Sequence, residues 1–363
     1  MAKFTFALGV VASLLFALAP ATAVQAKETS SKSSTAKKQT SKKQAPKKAR
    51  IVLRNTRPAV ASRDKTVRRV VTVRGKRKVI YQKVASAAVP MAAPMPTMGD
   101  LAGLNLTRDP LDLKSSVALV LDQSNAEVLF EKNSKVALPI ASITKMMTGL
   151  VVVEAGQDMD EVLTITDDDV DRAKFSSSRL KVGSQLTRGN MLHIALMSSE
   201  NRAASALGRN YPGGLPAFVN AMNSKARQLG MRDTHYVDSS GLSKMNVASA
   251  HDLAKLAMAA FQQPLLRQYS TDPKAIVEAS GHPMQFGNTN HLVANPGWEI
   301  GLQKTGFINE AGRCLLMQAV IEGRSVIMVF LDSKGKQSRT ADAGRMRKWL
   351  EALRPANMSL PGG

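Results

Sequence analysis

Apolar, β-rich segments lie near both ends of the region after residue 110, and segments with helical periodicity lie between them. The β-rich segments form two hairpin patterns, 116–121 with 126–131 and 313–322 with 325–332. Apolar residues recur every three to four positions at 142–153, 188–207, 215–229, 250–261 and 339–353. Strands from distant parts of a chain with helices between them predict one domain of the α/β or α+β class.

The first 26 residues follow the order of a secretory signal peptide. Lys3 precedes an apolar run at 4–20, and the small-residue pattern of a cleavage site ends at Ala26. The apolar run is near the lower limit for crossing a hydrocarbon core of ~30 Å, so a retained transmembrane anchor is the weaker alternative. We therefore expect an exported, periplasmic protein.

Positive charge is concentrated in the segment 27–83. This segment holds 20 of the 50 Lys and Arg but only two of the 28 Asp and Glu, and the net charge of the chain is +22. Its composition is typical of disorder, although residues 67–84 contain enough β-branched residues to pair transiently. Aromatic residues for base stacking are absent apart from Tyr81, so nucleic acid is not an expected partner. Attraction to an anionic membrane surface or wall polymer, or a merely solvated spacer, remain open alternatives.

These patterns divide the chain into four parts. Residues 1–26 form the signal peptide, 27–108 a basic, Pro-containing disordered tail and linker, 109–354 the single folded domain and 355–363 a C-terminal tail. The only cysteine, Cys314, lies in an apolar run, and we interpret it as a small core residue rather than a nucleophile.

A serine followed three positions later by a lysine opens the helical segment at 142–153. Residues three apart lie on one face of a helix, so Lys145 can reach the hydroxyl of Ser142 and act as its base. The same spacing occurs at four other places, starting at Ser34, Ser62, Ser178 and Ser333. The apolar setting of Ser142 distinguishes it, because burial would lower the pKa of Lys145 toward neutrality. Taken alone, the pair is still more typical of an ordinary helix surface.

Two further motifs each occur once, and their order supports a catalytic interpretation. Ser199-Glu200-Asn201 is the only Ser-x-Asn in the chain, and Lys304-Thr305-Gly306 is the only Lys-Thr-Gly. A Ser-x-x-Lys followed by these two motifs is the order found in penicillin-recognising serine enzymes. The ordered trio is specific, whereas each motif alone is more often a cap, a helix surface or a solvated strand end.

Each residue of these two motifs has a definite candidate role. Ser199 can pass a proton toward the leaving amine, and the Asn201 amide offers a donor and an acceptor to the substrate backbone. Lys304 on a strand edge brings a positive charge that helps to hold a substrate carboxylate and keeps Lys145 deprotonated. Thr305 adds a hydroxyl for the same carboxylate, and Gly306 lets the substrate backbone lie close to the strand.

Over 111–350 the sequence resembles the low-molecular-mass penicillin-binding proteins of the D-alanyl-D-alanine carboxypeptidase family, peptidase family S11. It is most similar to the endopeptidase branch of penicillin-binding protein 7 type. The similar stretches are 139–148, 197–204, 229–235, 288–290 and 301–307. The resemblance implies a β-lactamase-like and transpeptidase-like fold, in which helices flank an antiparallel sheet.

The resemblance also implies a mechanism. Ser142 would be acylated by a D-alanyl peptide of peptidoglycan, and the backbone N–H groups of Ser142 and Phe307 would hold the oxyanion. β-Lactams would act as inhibitors, and no cofactor or metal is expected. Because the chain stops at Gly363, we expect neither the second β-rich domain nor the amphipathic C-terminal helix of many family carboxypeptidases. This favours a D-alanyl-D-alanine endopeptidase, with the carboxypeptidase as the alternative.

Other classes fit the sequence less well. A class A β-lactamase needs a Glu-x-x-x-Asn between the second and third motifs, and none occurs between Asn201 and Lys304. No Gly-x-Ser-x-Gly supports a Ser-His-Asp hydrolase, and no His-Glu-x-x-His supports a metal hydrolase. A non-enzymatic wall-binding protein is the alternative of a different class, and it predicts that Ser142 can be replaced without consequence.

Overall fold

The computed structural model describes residues 65–73, 76–84 and 95–353. The chain divides into two compact units, one ending at Val89 and the other beginning at Pro90. The expected signal peptide, most of the expected tail and the C-terminal residues 355–363 lie outside the described residues. Among the helices that are described, none has the length and apolar character needed to cross a membrane.

The first unit contains a β-hairpin. Strands β1 (Lys65–Val73) and β2 (Lys76–Val84) are antiparallel, and their register pairs Lys65 with Val84. The hairpin carries exposed apolar and aromatic side chains, including Val70 and Tyr81. Its β-branched residues favour an extended backbone. The two strands lie almost entirely in the part of the expected tail, 67–84, whose β-branched residues are predicted from the sequence to be able to pair.

The described strands of the second unit are β3 (Ser115–Asp122), β4 (Val128–Lys132), β5 (Leu138–Pro139), β6 (Val162–Thr164), β7 (Gln185–Thr187), β8 (Val247–Ala248), β9 (Lys274–Ala279), β10 (His282–Gly287), β11 (Glu299–Ile308), β12 (Gly312–Ile321) and β13 (Arg324–Ser333). The unit is built on a five-stranded antiparallel sheet with the order β11-β12-β13-β3-β4. Its hairpins come from the two ends of the unit, as the sequence predicts, and β13 joins them by pairing with β3. The short strands form three pairs, β5 with β8, β6 with β7 and β9 with β10.

Helices cover both faces of the sheet. They are α1 (Met98–Leu101), α2 (Thr144–Glu154), α3 (Arg188–Met197), α4 (Asn201–Arg209), α5 (Gly214–Gln228), α6 (Ala250–Phe261), α7 (Pro264–Thr271) and α8 (Ser338–Ala352). Side chains alternate between the faces of a strand, so a central strand such as β3 contributes to two apolar clusters. Leu119 belongs to the cluster that contains Met146 of α2, whereas Val120 belongs to the cluster that contains Met346 of α8. The predicted class, an antiparallel sheet flanked by helices, is confirmed.

Two boundaries differ from the sequence prediction. The single helix predicted at 188–207 is two helices, because Ser199 adopts a left-handed backbone with φ of 63° between α3 and α4. The folded unit also begins before residue 109, since the Met98 N–H donates to the Glu310 carbonyl at 2.9 Å and Asp100 forms an ion pair with Lys334. Helical periodicity continues across the first break, so the sequence pattern did not reveal it.

Helix α8 is joined to β3 by a buried carboxylate. Asp342 is fully buried and accepts hydrogen bonds from the Ser115 N–H at 2.8 Å, the Ser115 hydroxyl at 2.6 Å and the Lys114 N–H at 3.1 Å.

Replacing Asp342 by Ala leaves these donors without their acceptor. We expect the free energy of unfolding, measured by urea denaturation, to fall by about 2–4 kcal/mol. Asp167→Ala, which removes an exposed ion pair with Arg172, should change stability little. Equal stability of the two variants would contradict this assignment.

Candidate active site

Ser142 lies in a one-turn 3-10 helix over 141–143 that leads directly into α2. Ala141 has a left-handed backbone, with φ of 48°, and its carbonyl accepts a hydrogen bond from the Thr144 hydroxyl at 2.8 Å. Gly241 packs against the same carbonyl, and a Cβ at Gly241 would overlap it. The backbone that presents the Ser142 hydroxyl is therefore held by Thr144 and by Gly241, which both contact the Ala141 carbonyl.

Lys145 is fully buried beneath Ser142. Its Nζ lies 2.8 Å from Ser142 Oγ, 2.7 Å from Asn201 Oδ1 and 2.6 Å from the Ser240 carbonyl oxygen. Burial lowers the pKa of Lys145 to about 7, although the negative charges of Asp238 and Glu200 oppose this shift. A substantial fraction of Lys145 is therefore uncharged near neutral pH and able to accept a proton from Ser142.

The break between α3 and α4 brings the Ser-x-Asn motif to Lys145. The left-handed Ser199 turns the chain, and the side chain of Glu200 accepts from the Arg202 N–H at 3.4 Å at the start of α4. Asn201 accepts from Lys145 through Oδ1 and donates through Nδ2 to the Ser176 hydroxyl at 3.0 Å. One N–H of the Asn201 amide is left for a further acceptor, such as a substrate carbonyl. The sequence alone predicts that the amide oxygen is also available to the substrate, but it is occupied by Lys145.

The Lys-Thr-Gly motif lies on β11, at the edge of the five-stranded sheet. A Cβ at Gly306 would lie 2.8 Å from the Ile140 carbonyl oxygen and 3.1 Å from the Ser142 nitrogen, so this strand runs directly beside Ser142. The Thr305 hydroxyl lies 2.6 Å from the Thr289 hydroxyl. Phe307 is the next residue along β11, and its exposed ring lies under the Arg313 guanidinium.

Lys304 differs from the expectation of a charged strand end. It is fully buried and donates to the Thr305 carbonyl at 2.9 Å. Burial, and then the nearby positive charges of Lys145 and Arg339, hold the pKa of Lys304 well below its usual range. A substrate carboxylate beside Lys304 would raise that pKa again, because an opposite charge favours the protonated amine.

The structure brings together Ser142, Lys145 and Asn201 by direct contacts and places Gly306 against the Ser142 backbone. It also adds groups that the motifs did not indicate. The Ser240 carbonyl contacts Lys145, and Arg339 of α8 donates to the Gly306 carbonyl at 2.7 Å. A backbone acceptor carries no side-chain signal in a sequence, and Arg339 stands far from the motifs along the chain. Within the described residues, no three His, Cys, Asp or Glu side chains are grouped as a metal site requires.

Comparison with known proteins agrees with this geometry. Residues 105–335 match the family described as D-alanyl-D-alanine carboxypeptidase, Peptidase S11. The chain belongs to this family. Its assignment as a serine peptidase and the resemblance drawn from its motifs are thereby confirmed.

Relatives and solved structures extend the comparison. A D-alanyl-D-alanine endopeptidase from Pseudomonas aeruginosa is 48% identical over 275 residues, which are 75% of this chain and 86% of the relative. A protein of the same name from Escherichia coli is 43% identical over 66% of this chain and 78% of the relative. The structure of the Streptomyces K15 DD-transpeptidase matches with a TM-score of 0.63 and 25% identity, over 68% of this chain and all of that chain.

The close approach of β11 to Ser142 can be tested at Gly306. Gly306→Ala places a methyl group against the Ile140 carbonyl and the Ser142 nitrogen, so either the strand or the 3-10 helix must shift. We expect unfolding in urea to require about 1–3 kcal/mol less free energy than in the wild type. The control is Gly344→Ala on α8, where an added Cβ meets nothing within 4 Å and Ala favours the helix. A Gly306→Ala protein as stable as this control would contradict the packing described.

Proposed function

We propose that this serine peptidase is a D-alanyl-D-alanine endopeptidase, which hydrolyses D-alanyl cross-links in peptidoglycan through an acyl-Ser142 intermediate. The observation that carries the proposal is the 2.8 Å contact between Ser142 Oγ and the buried Lys145, whose pKa is lowered to about 7. A hydroxyl becomes a competent nucleophile when a neighbouring base can take its proton. The names of the relatives at 48% and 43% identity support the choice of reaction.

Acylation follows from the arrangement of these groups. The uncharged Lys145 takes the proton of Ser142, and Oγ forms a bond with the carbonyl carbon of the D-alanyl residue. The oxyanion accepts hydrogen bonds from the backbone N–H groups of Ser142 and Phe307, which belong to neighbouring segments. The C–N bond then breaks, and the amine of the diamino acid leaves with a proton that passes from Lys145 through Ser199.

Deacylation and substrate binding use the same residues. Lys145 takes a proton from water, whose oxygen bonds to the ester carbonyl carbon. The bond from that carbon to Ser142 Oγ then breaks, Lys145 returns the proton to Oγ, and the cut stem peptide is released. Asn201 donates to a substrate carbonyl, while Lys304 and Thr305 hold the carboxylate of the leaving residue. Gly306 leaves room for the substrate backbone along β11.

β-Lactams fit the same site as substrate analogues. Attack by Ser142 opens the lactam ring and leaves a covalent ester on the serine. Because the Glu-x-x-x-Asn of class A β-lactamases is absent between the second and third motifs, slow release of the drug is expected.

The acylation step predicts a covalent adduct. A labelled penicillin should add once to the wild type, as measured by mass analysis of the intact protein. Ser142→Ala removes the nucleophile and Lys145→Ala removes its base, so both variants should lose the adduct. An adduct that persists in Ser142→Ala would show that another residue is the nucleophile and would reject the mechanism. No adduct on folded wild type would also reject it and would favour a wall-binding protein.

The choice between endopeptidase and carboxypeptidase rests on the substrate, because both reactions break a D-alanyl bond with the same atoms. The measurement is hydrolysis of a cross-linked muropeptide dimer beside a monomeric pentapeptide, with products separated by chromatography. We expect the dimer to be cleaved with a kcat/KM at least about 10-fold higher, a difference of about 1.4 kcal/mol. Faster release of terminal D-alanine from the monomer would instead establish a carboxypeptidase.

The expected signal peptide and the basic segment 27–83 suggest where in the cell the protein acts. Export to the periplasm would bring the enzyme to its substrate, and we infer that the basic segment attaches it to an anionic membrane surface or wall polymer. Deleting 27–83 from the mature protein should lower its sedimentation with cell envelopes, and the loss should resemble that caused by added salt. Unchanged sedimentation would discard the attachment.

A further inference from the structure

We propose that Asp238 is a positioning residue for Lys145, because its carboxylate shapes the 238–243 loop so that the Ser240 carbonyl orients the lysine amine toward Ser142. The inference rests on the proposed function, in which Lys145 is the base. Asp238 belongs to none of the three motifs.

The three contacts of Lys145 determine which way its lone pair points. An uncharged amine has two N–H donors and one lone pair. The Ser240 carbonyl at 2.6 Å and Asn201 Oδ1 at 2.7 Å can only accept, so they take the two N–H groups. Ser142 is the partner that has a proton to give, and the lone pair is left facing its hydroxyl. Losing the Ser240 acceptor would free one N–H and let the amine rotate.

One carboxylate organises the loop that carries this acceptor. Oδ1 of Asp238 accepts from the Ser240 N–H at 2.7 Å, the Ser240 hydroxyl at 3.0 Å and the Gly241 N–H at 2.5 Å. Oδ2 accepts from the Ser243 N–H at 2.9 Å. Hydrogen bonds to a carboxylate are about twice as strong as neutral ones, so the turn is tightly defined. The peptide that bears the Ser240 carbonyl lies inside this turn.

The same loop is anchored to the helix that carries Lys145. The Thr148 hydroxyl of α2 donates to the Ser239 carbonyl at 2.6 Å, and Asn246 Nδ2 donates to the Asp238 carbonyl at 2.9 Å and to the Thr144 hydroxyl at 3.1 Å. These contacts hold the first two residues of the turn, Asp238 and Ser239. They do not set the direction of the Ser240 carbonyl, which depends on the N–H groups that Asp238 binds.

The charge of Asp238 has a second, separable effect. Three titratable groups lie near Lys145: Asp238 on the loop, Glu200 at the start of α4 and Lys304 on β11, whose pKa is itself held low by burial. The two carboxylates raise the pKa of Lys145 against the lowering caused by burial. Removing the charge of Asp238 should therefore lower the pKa of Lys145. Since the uncharged amine is the reactive form, activity should then persist to lower pH.

The test compares the rate of acylation by a labelled penicillin, as a function of pH, in the wild type and in two variants. Asp238→Ala removes the acceptor of all four donors, and we expect the rate on the high-pH plateau to fall about 10-fold or more. Asp238→Asn keeps one acceptor oxygen but no charge, so the midpoint of the acid limb should move to lower pH. Thermal unfolding of each variant checks that it is folded.

Asp122→Asn is the matched control, since Asp122 also organises a turn through the Ser124 N–H and hydroxyl, on the β3–β4 hairpin. Its rate and pH profile should equal those of the wild type. If Asp238→Ala and Asp238→Asn also keep the wild-type plateau and midpoint, Asp238 only supports the loop and the proposal is wrong.

A crystal structure of Asp238→Ala provides a readout that does not depend on the proposed function. The distance from Lys145 Nζ to the Ser240 oxygen should exceed about 3.5 Å, beyond hydrogen-bond range. A contact retained at its present length would overturn the proposal, even if acylation were slower. If Asp238→Ala does not fold, the same comparison is made in Asp238→Leu, which fills the space of the carboxylate but offers no acceptor to the Ser240 and Gly241 N–H groups. An unreactive wild type would reject the proposed function and leave this structural test in force.

Discussion

The active site depends on a lysine that is buried while it remains chemically useful. Transferring an ammonium group from water into a protein interior costs several kcal/mol, and a buried lysine therefore tends to lose its proton. Lys145 lies on α2, a helix with nine buried residues, and its amine has three oxygen partners. A buried amine without hydrogen-bond partners would add a further desolvation cost to the folded state. The three oxygen partners of Lys145 remove that cost. The result is an amine that loses its proton near pH 7 and contacts a serine hydroxyl.

The fold supplies these partners from distant parts of the chain. Ser142 precedes α2, Asn201 begins α4 after the left-handed Ser199, and Ser240 belongs to a loop between α5 and α6. The edge strand β11 adds the Lys-Thr-Gly motif, and it can approach Ser142 closely because Gly306 has no side chain. A residue held in the left-handed region costs of order 1–3 kcal/mol, and it persists here at the point where the second motif must turn toward Lys145.

The sequence indicates the side chains of this site better than its backbone. The two hairpins, the helix after Ser142 and the position of Lys304 on a strand follow from apolar periodicity and from motif order. The break at Ser199 does not follow from the sequence pattern, because the apolar pattern of α3 continues into α4. The contact between the Ser240 carbonyl and Lys145 could not be predicted either, since every residue type has a backbone carbonyl. The buried state of Lys304 also required the structure, because a lysine at a strand end is usually solvated.

The state of the Lys145 amine is the central claim, and it can be measured without a substrate. A titration of the protein carrying isotope-labelled lysine, followed by NMR of the side-chain amines and assigned with Lys145→Ala, reports the protonation of Lys145 directly. The structure predicts a midpoint near pH 7, with the amine uncharged above it. A midpoint close to the usual lysine value of about 10.4 would contradict the account, because Lys145 would then be charged and unable to activate Ser142.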